Sequence, residues 1–278
     1  MAVKTWFITG TSRGFGREWA IAALDRGDMV AATARDITSL DDLAAKYGDA
    51  ILPIRLDVTD RGADFAAVKL AHDYFGRLDV VVNNAGYGQF GMVEEISESE
   101  IRAQLETNLL GALWVTQAAL PYPREQGSGH IVQVSSIGGI SAFMNTGAYH
   151  ASKWALEGLS QSLAAEVAGV RRPKVTLIEP TGYATDWAGS SAKHATPRRS
   201  TSRSGSRPHR PAQALHARRA GRDPRRGAAV GRHPEPAAAQ PSGPRHDSDL
   251  RASGFGQRHT AGCGHWRVAD GRPPPGSC

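Results

Sequence analysis

Short apolar runs alternate with stretches of helical period along the first two thirds of the chain. Val3–Thr9, Met29–Ala34, Ile51–Leu56, Leu78–Val82, His130–Ser135 and Lys174–Glu179 read as strands. They are rich in β-branched residues and apolar at nearly every position, which suits strands covered on both faces. Between them the spacing predicts helices over Gly14–Gly27, Thr38–Tyr47, Asp60–Phe75, Ser97–Ala119 and Gly147–Val167. Alternation of this kind implies right-handed crossovers, so the expected fold class is α/β with a doubly wound parallel sheet. Ligands of such sheets bind beyond the carboxyl ends of the strands.

The pattern stops near Pro197. Arg198–Cys278 contains no Ile, Met, Tyr, Asn or Lys, and its large apolar residues are only Leu215, Val230, Leu250, Phe255, Trp266 and Val268. Such a segment buries too little apolar area to offset chain entropy, which predicts disorder. The expected division is therefore a folded domain over residues 1–192 and an Arg/Pro/Gly/Ala-rich tail over residues 193–278.

Charge changes the picture at the same point. The whole chain carries +6, with a pI near 9.6. Yet Arg198–Cys278 holds 16 Arg against 5 acids, a net +11, which leaves −5 for residues 1–197. The basic character belongs to the tail. A basic tail could bind nucleic acid, but aromatic interleaving is nearly absent and no RNA or DNA motif accompanies it, so no nucleic-acid partner is expected. The abrupt change of composition suggests instead translation of GC-rich DNA in a shifted frame.

Both cysteines, Cys263 and Cys278, lie in the tail, so the body has no disulfide framework and no cysteine metal site. No metal is expected. No segment approaches the roughly 20 apolar residues that span a membrane, and the N-terminus does not read as a signal peptide. A cytoplasmic protein is the expectation.

The chemistry sits at the strand ends. After the first strand comes Gly10-Thr11-Ser12-Arg13-Gly14-Phe15-Gly16, a glycine-rich turn that opens a helix. Glycines let backbone approach a phosphate, and the helix terminus offers free N–H groups. The second strand ends in Arg35, 19 residues beyond Gly16, where the residue that reads a dinucleotide ribose is expected. An arginine there accommodates the 2′-phosphate of NADP, since guanidinium offers a planar fork of donors. Arg13 could add a second charge. Asp36, next in sequence, would favour NAD if it faced the ribose instead.

Tyr149 and Lys153 stand at i and i+4 on the last predicted helix and share a face. A phenol titrates near pKa 10, and a nearby ammonium favours its ionised form. Ser136 precedes Tyr149 by 13 residues, Asn83-Asn84-Ala85-Gly86 follows the fourth strand, and Asn108 lies in the long helix. His150 should point elsewhere on its helix and reads as bland, because sequence neighbours do not share a helix face.

These motifs, in this order, together with Asp57 in Leu56-Asp57-Val58, resemble the single-domain Tyr-x-x-x-Lys branch of the short-chain dehydrogenase/reductase family over about Val3 to Ala192. The resemblance implies a Rossmann-like three-layer sandwich and an oxidoreductase that moves hydride between NADP(H) and a carbonyl or alcohol. It implies Tyr149 as general acid/base and Ser136 as the group that holds the substrate oxygen. Lys153 would lower the Tyr149 pKa and hold the nicotinamide ribose, and Asn108 would hold a relay water. Gly10, Ser12, Arg13, Gly14, Phe15 and Gly16 would cradle the pyrophosphate, and Arg35 the 2′-phosphate. Asp57 and Val58 would contact adenine; Asn84, Ala85 and Gly86 would line the cleft; Pro180 and Thr185 would reach the nicotinamide and phosphate. Thr181 stands where the family usually has glycine.

The family also has a substrate lid helix, a further helix and a last strand after this segment, and a homodimer through the long helices. Nothing in Arg198–Cys278 reads as that lid or that strand. A nucleotide-binding remnant without turnover is therefore the alternative.

Overall fold

Strands that are apolar on both faces require helices above and below them, and the observed architecture supplies both layers. The computed structural model describes residues 2–169, 173–181, 192–198 and 265–268. Its strands are Thr5–Ile8 (β1), Met29–Ala34 (β2), Ile51–Arg55 (β3), Val80–Asn83 (β4), Gln89–Phe90 (β5), His130–Val134 (β6), Lys174–Glu179 (β7), Lys193–His194 (β8) and His265–Val268 (β9). Helices are Gly14–Asp25 (α1), Asp41–Tyr47 (α2), Arg61–Phe75 (α3), Glu98–Leu105 (α4), Gly111–Ala119 (α5), Pro121–Gln126 (α6) and Gly147–Glu166 (α7). All the described residues belong to one compact unit.

The main sheet runs β3-β2-β1-β4-β6-β7-β9, parallel except at β9. The chain winds outward from β1 to β3, then returns to the other side of β1 at β4. That reversal opens a crevice at the carboxyl ends of β1 and β4, the place where doubly wound sheets bind ligands. Phe7 and Ile8 are both fully buried, yet they belong to opposite faces, as alternation along a strand requires. Phe7 packs with Leu56, Val68, Val115 and Leu163 beneath α3, α5 and α7. Ile8 packs with Ala20, Leu24, Leu40 and Val82 beneath α1 and α2.

Three features depart from the pattern read in the sequence. The helix expected over Ser97–Ala119 is interrupted by a π-helical turn, Glu106–Leu110, that joins α4 to α5. Two short strands, β5 and β8, pair in parallel, with Lys193 N–H donating to Gly88 O and Ala195 N–H to Phe90 O. Ala195 is buried against Gly91. The body therefore runs to at least Arg198, past the boundary expected after Ala192.

One short strand falls inside the segment read as tail. His265–Val268 pairs antiparallel with β7, from Thr176↔Val268 to Glu179↔His265. The free edge of β7 exposes a row of backbone donors and acceptors, and a ladder needs backbone rather than a large apolar content. The rest of the expected disordered tail lies outside the described residues. Among the described residues no helix is long and apolar enough to cross a membrane.

Candidate active site

The crevice begins where β1 runs into the glycine turn. Thr9 and Asn84 bind its two walls together. Thr9 Oγ1 accepts from the N–H groups of Asn84 and Ala85, each at 2.9 Å. Asn84 Nδ2 donates back to the carbonyls of Thr9 and Gly10 at 2.8 and 3.0 Å. This crossing leaves no room for side chains. A Cβ on Gly16 would stand 2.4 Å from both Asn84 Nδ2 and Gly10 O, and one on Gly10 would stand 3.0 Å from the Cα of Ala85.

Gly14 is the opposite case. Its φ is +61°, and a Cβ there would meet nothing within 4 Å. It opens α1, whose N-cap, Arg13, makes no side-chain cap and whose first turn holds no acid. Bare backbone faces open space at the positive end of a helix, a setting that fits a pyrophosphate. Ser12 and Arg13 are exposed beside it, and Phe15 stacks on Trp19 with ring centroids 5.4 Å apart.

Arg35 is exposed at the end of β2, and Arg55 ends β3 in register with Ala34. Asp36 Oδ1 accepts from the backbone N–H and the hydroxyl of Thr38, at 3.1 and 2.7 Å, and so caps the 3-10 turn Ile37–Leu40. Those bonds hold its carboxyl below the usual carboxylate range. Asp57 makes a similar local turn, accepting from the N–H and hydroxyl of Thr59 at 3.1 and 2.9 Å. Val58 is buried under Gly111, where a Cβ would approach the Val58 carbonyl to 2.8 Å.

The second half of the site is built on β6 and α7. Ser136 leads into the 3-10 turn Ile137–Gly139, and its Oγ accepts from Gly138 N–H at 3.0 Å. The Tyr149 ring lies against the same Gly138, and the Ser136 hydroxyl acts on its phenol. Lys153, one helical turn along, has its ammonium 5.8 Å from the Tyr149 ring centroid and donates to Val134 O at 2.7 Å. Tyr149 and Lys153 are each only 6% exposed.

Burial dominates both titrations. It pushes the Tyr149 phenol up to about 12, against the opposing pull of the Ser136 hydroxyl. It pulls Lys153 down to about 8, against the opposing charge of Glu157 one further turn along.

Asn108 stands in the π-turn and is buried. Its Oδ1 accepts from Tyr87 N–H at 3.1 Å, while Nδ2 donates to Tyr87 O at 3.0 Å and to Ser152 Oγ at 3.1 Å. The amide is thereby engaged with the segment after Asn84-Ala85-Gly86 on one side and α7 on the other. Pro180 O accepts from Ile137 N–H at 2.9 Å and ties the end of β7 to the Ser136 turn. Thr185 lies outside the described residues.

Sequence reasoning missed Thr9, Tyr87 and Ser152. Thr9 alone left a signal, as a hydroxyl at the last position of a strand before a glycine turn. The other two act through backbone atoms or a hydroxyl in mid-helix, and carry none. Among the described residues no group of His, Cys, Asp or Glu is arranged to hold a metal.

Comparison with known proteins bears on the same residues. Residues 4–196 match the family model described as short chain dehydrogenase. The oxidoreductase BOA17 of Botryotinia fuckeliana is 50% identical over 189 residues, covering 68% of this chain and 69% of that one. A solved alcohol dehydrogenase from the archaeon Thermococcus sibiricus, complexed with 5-hydroxy-NADP, is 30% identical with a TM-score of 0.64, covering 70% of this chain and 83% of that one. A short chain dehydrogenase/reductase from Burkholderia phymatum in complex with NAD is 26% identical with a TM-score of 0.65, covering 71% and 75%. The chain spans about two thirds of the length of the curated relatives it matches.

Proposed function

We propose, from the premise that this chain belongs to the short-chain dehydrogenase family, that it moves a hydride between NADP(H) and a carbonyl/alcohol pair. The observation that carries this reading is the gathering of Ser136 and Tyr149 about Gly138, with Lys153 one turn behind. Two hydroxyls converging at the carboxyl end of the sheet suit a single carbonyl oxygen. In reduction, Ser136 holds that oxygen and Tyr149 gives it a proton. Oxidation reverses the transfer, with Tyr149 as base. Lys153 contributes a buried positive charge, which favours phenolate, and a donor for the nicotinamide ribose. The nicotinamide supplies or accepts the hydride when bound.

Because the Asn108 amide is engaged with Tyr87 and Ser152, a relay water would meet its backbone carbonyl rather than its side chain. A π-turn suits this, since one carbonyl there loses its helical donor.

The cradle of Gly10, Gly14 and Gly16, with Ser12, Arg13 and Phe15, would hold the pyrophosphate. Asp57 and Val58 would meet the adenine; Asn84, Ala85 and Gly86 would line the cleft; Pro180 would meet the nicotinamide. NADP is favoured over NAD because Asp36 is occupied as a cap, while Arg35 stands exposed at the strand end with Arg55 on the neighbouring strand. The same reading takes the protein as cytoplasmic, with two copies paired through the long helices.

Fluorescence titration with NADPH and NADH tests the cofactor reading. Wild type is expected to bind NADPH at least about tenfold more tightly, and Arg35→Asp to cancel that preference by losing one charge-assisted contact of about 1.5–3 kcal/mol. Tighter binding of NADH by wild type would overturn the assignment.

A further inference from the structure

His150, the neighbour of Tyr149, is only 6% exposed and has partners at both ring nitrogens. Nδ1 lies 2.8 Å from Gly138 O, and Nε2 lies 2.8 Å from Phe143 N. A carbonyl can only accept and a backbone N–H can only donate. These two partners therefore require the neutral ring with its proton on Nδ1 and a lone pair on Nε2. With the proton on Nδ1, Thr146 Oγ1, also 2.8 Å from Nε2, turns its own proton to that lone pair while lying 3.0 Å from Phe143 O, and steadies the same corner.

The two partners sit at opposite ends of the loop that follows Ser136. Gly138 receives the Nδ1 proton at its carbonyl and gives its own N–H to Ser136 Oγ. Tyr149, the residue before His150, packs its ring against the same glycine. The contacts therefore leave α7 through the imidazole and return to it one residue earlier at the Tyr149 ring. The fit around Gly138 is tight: a Cβ there would stand 2.8 Å from His150 Nδ1 and 3.1 Å from Tyr149 Cε1. At the far end His150 grips the backbone of Phe143, whose exposed side chain, with that of Met144, forms an apolar rim beside α7. Among the described residues, the side chains that face the ring are Phe143, Thr146 and Tyr149, none of them charged at neutral pH.

We infer that His150 is a positioning residue, a neutral Nδ1–H imidazole that clamps both ends of the Ser136 loop to the catalytic helix. Its donor arm sets the Ser136 hydroxyl against Tyr149, and its acceptor arm sets the rim that substrate passes. The inference rests on the proposed roles of Ser136 and Tyr149 and adds to them a residue that touches neither substrate nor cofactor.

The two arms can be cut separately. In His150→Asn the amide N–H replaces the Nδ1 donor and the acceptor arm is lost. In His150→Gln the carbonyl reaches the place of Nε2 and the donor arm is lost. With NADPH and a ketone that wild type reduces, kcat is expected to fall about tenfold to a hundredfold in His150→Gln, the scale of a misplaced reacting group. In His150→Asn, kcat is expected to stay within about threefold of wild type while KM rises about fivefold or more, the scale of one lost hydrogen bond. Equal loss in both variants, or none in either, would overturn the assignment. A second measurement needs no turnover: 15N-labelled histidine in the full chain reports the tautomer. An Nδ1–H ring at His150 is expected, and an Nε2–H ring would remove the clamp. Failure of wild type to reduce any ketone would count against the proposed function, while the tautomer would still decide the clamp.

Discussion

The two halves of the site are held together by opposite means. At the glycine turn, backbone does the work: three glycines are needed because Asn84 and Thr9 draw the ends of β1 and β4 too close for side chains, or because α1 must open onto free space. At the Ser136–Tyr149 end, buried side chains do it, and their hydrogen-bonding groups are spoken for one by one: Lys153 by Val134 O, Asn108 by Tyr87 and Ser152, His150 by Gly138 and Phe143. A cradle of backbone tolerates ligand contact but no added volume. A network of buried polar groups tolerates modest changes of volume but no lost partner, since an orphaned buried donor or acceptor costs more than the bond itself contributes.

Substitutions on each side should therefore fail differently. Gly16→Ala adds a methyl 2.4 Å from two fixed atoms. Overpacking of about 1–3 kcal/mol converts to a loss of NADPH affinity of roughly tenfold to a hundredfold. Turnover at saturating NADPH should change little. A normal affinity in the titration would show that the turn can relax and would break the contrast.

Asn108→Leu keeps the volume and removes every bond the amide makes to Tyr87 and Ser152. We expect kcat to drop about tenfold, with NADPH affinity within about twofold, because three buried partners of about 1 kcal/mol each are stranded on the catalytic side only. Steady-state kinetics beside a binding titration separates the two outcomes. A loss of affinity larger than the loss of kcat would mean that the two halves are not independent.

Asp64 sharpens the same point from outside the site. It is fully buried on α3, and neither carboxylate oxygen has a hydrogen-bond partner among the described residues. Burial, with Asp60 and Asp57 nearby, pushes it up to about 8 from an ordinary value of 3.8. The folded state therefore keeps a proton that the unfolded chain gives up near pH 4. Stability should fall as pH rises from about 4 to about 8 and level off above that. Asp64→Asn should raise the melting temperature by about 4 °C at pH 8. The gap should close toward pH 4. A gap independent of pH would show that Asp64 is not the titrating group.

The contrast also explains what could be read from the sequence. The parallel sheet and the pairing of Tyr149 with Lys153 on one helix face follow from local period, and the Gly10–Gly16 turn falls at a strand end as read. The π-turn at Glu106–Leu110 did not show, because a single extra residue in a helical turn leaves the apolar period nearly unchanged. Asp36 could not be assigned, since the choice between ribose and cap depends on Thr38 bonds that spacing does not report. The four-residue strand at His265–Val268 lay in a segment whose composition argued against any strand, and its pairing depends on the free edge of β7. His150 looked bland because its partners are the backbones of Gly138 and Phe143. What sequence hides here is which partner each polar side chain takes up in the fold.

The most direct test of the account is transfer of the label from NADPH carrying deuterium on the transferring face of C4. It should be run with wild type and Tyr149→Phe against a panel of aliphatic and aromatic ketones. The account predicts an alcohol product one mass unit heavier, labelled at the carbinol carbon, with wild type. With Tyr149→Phe it predicts a rate lower by about 10²–10⁴, the range typical of a lost general acid, and NADPH binding nearly unchanged. Tight NADPH binding by wild type with no deuterium in any product, or a Tyr149→Phe variant as fast as wild type, would contradict it.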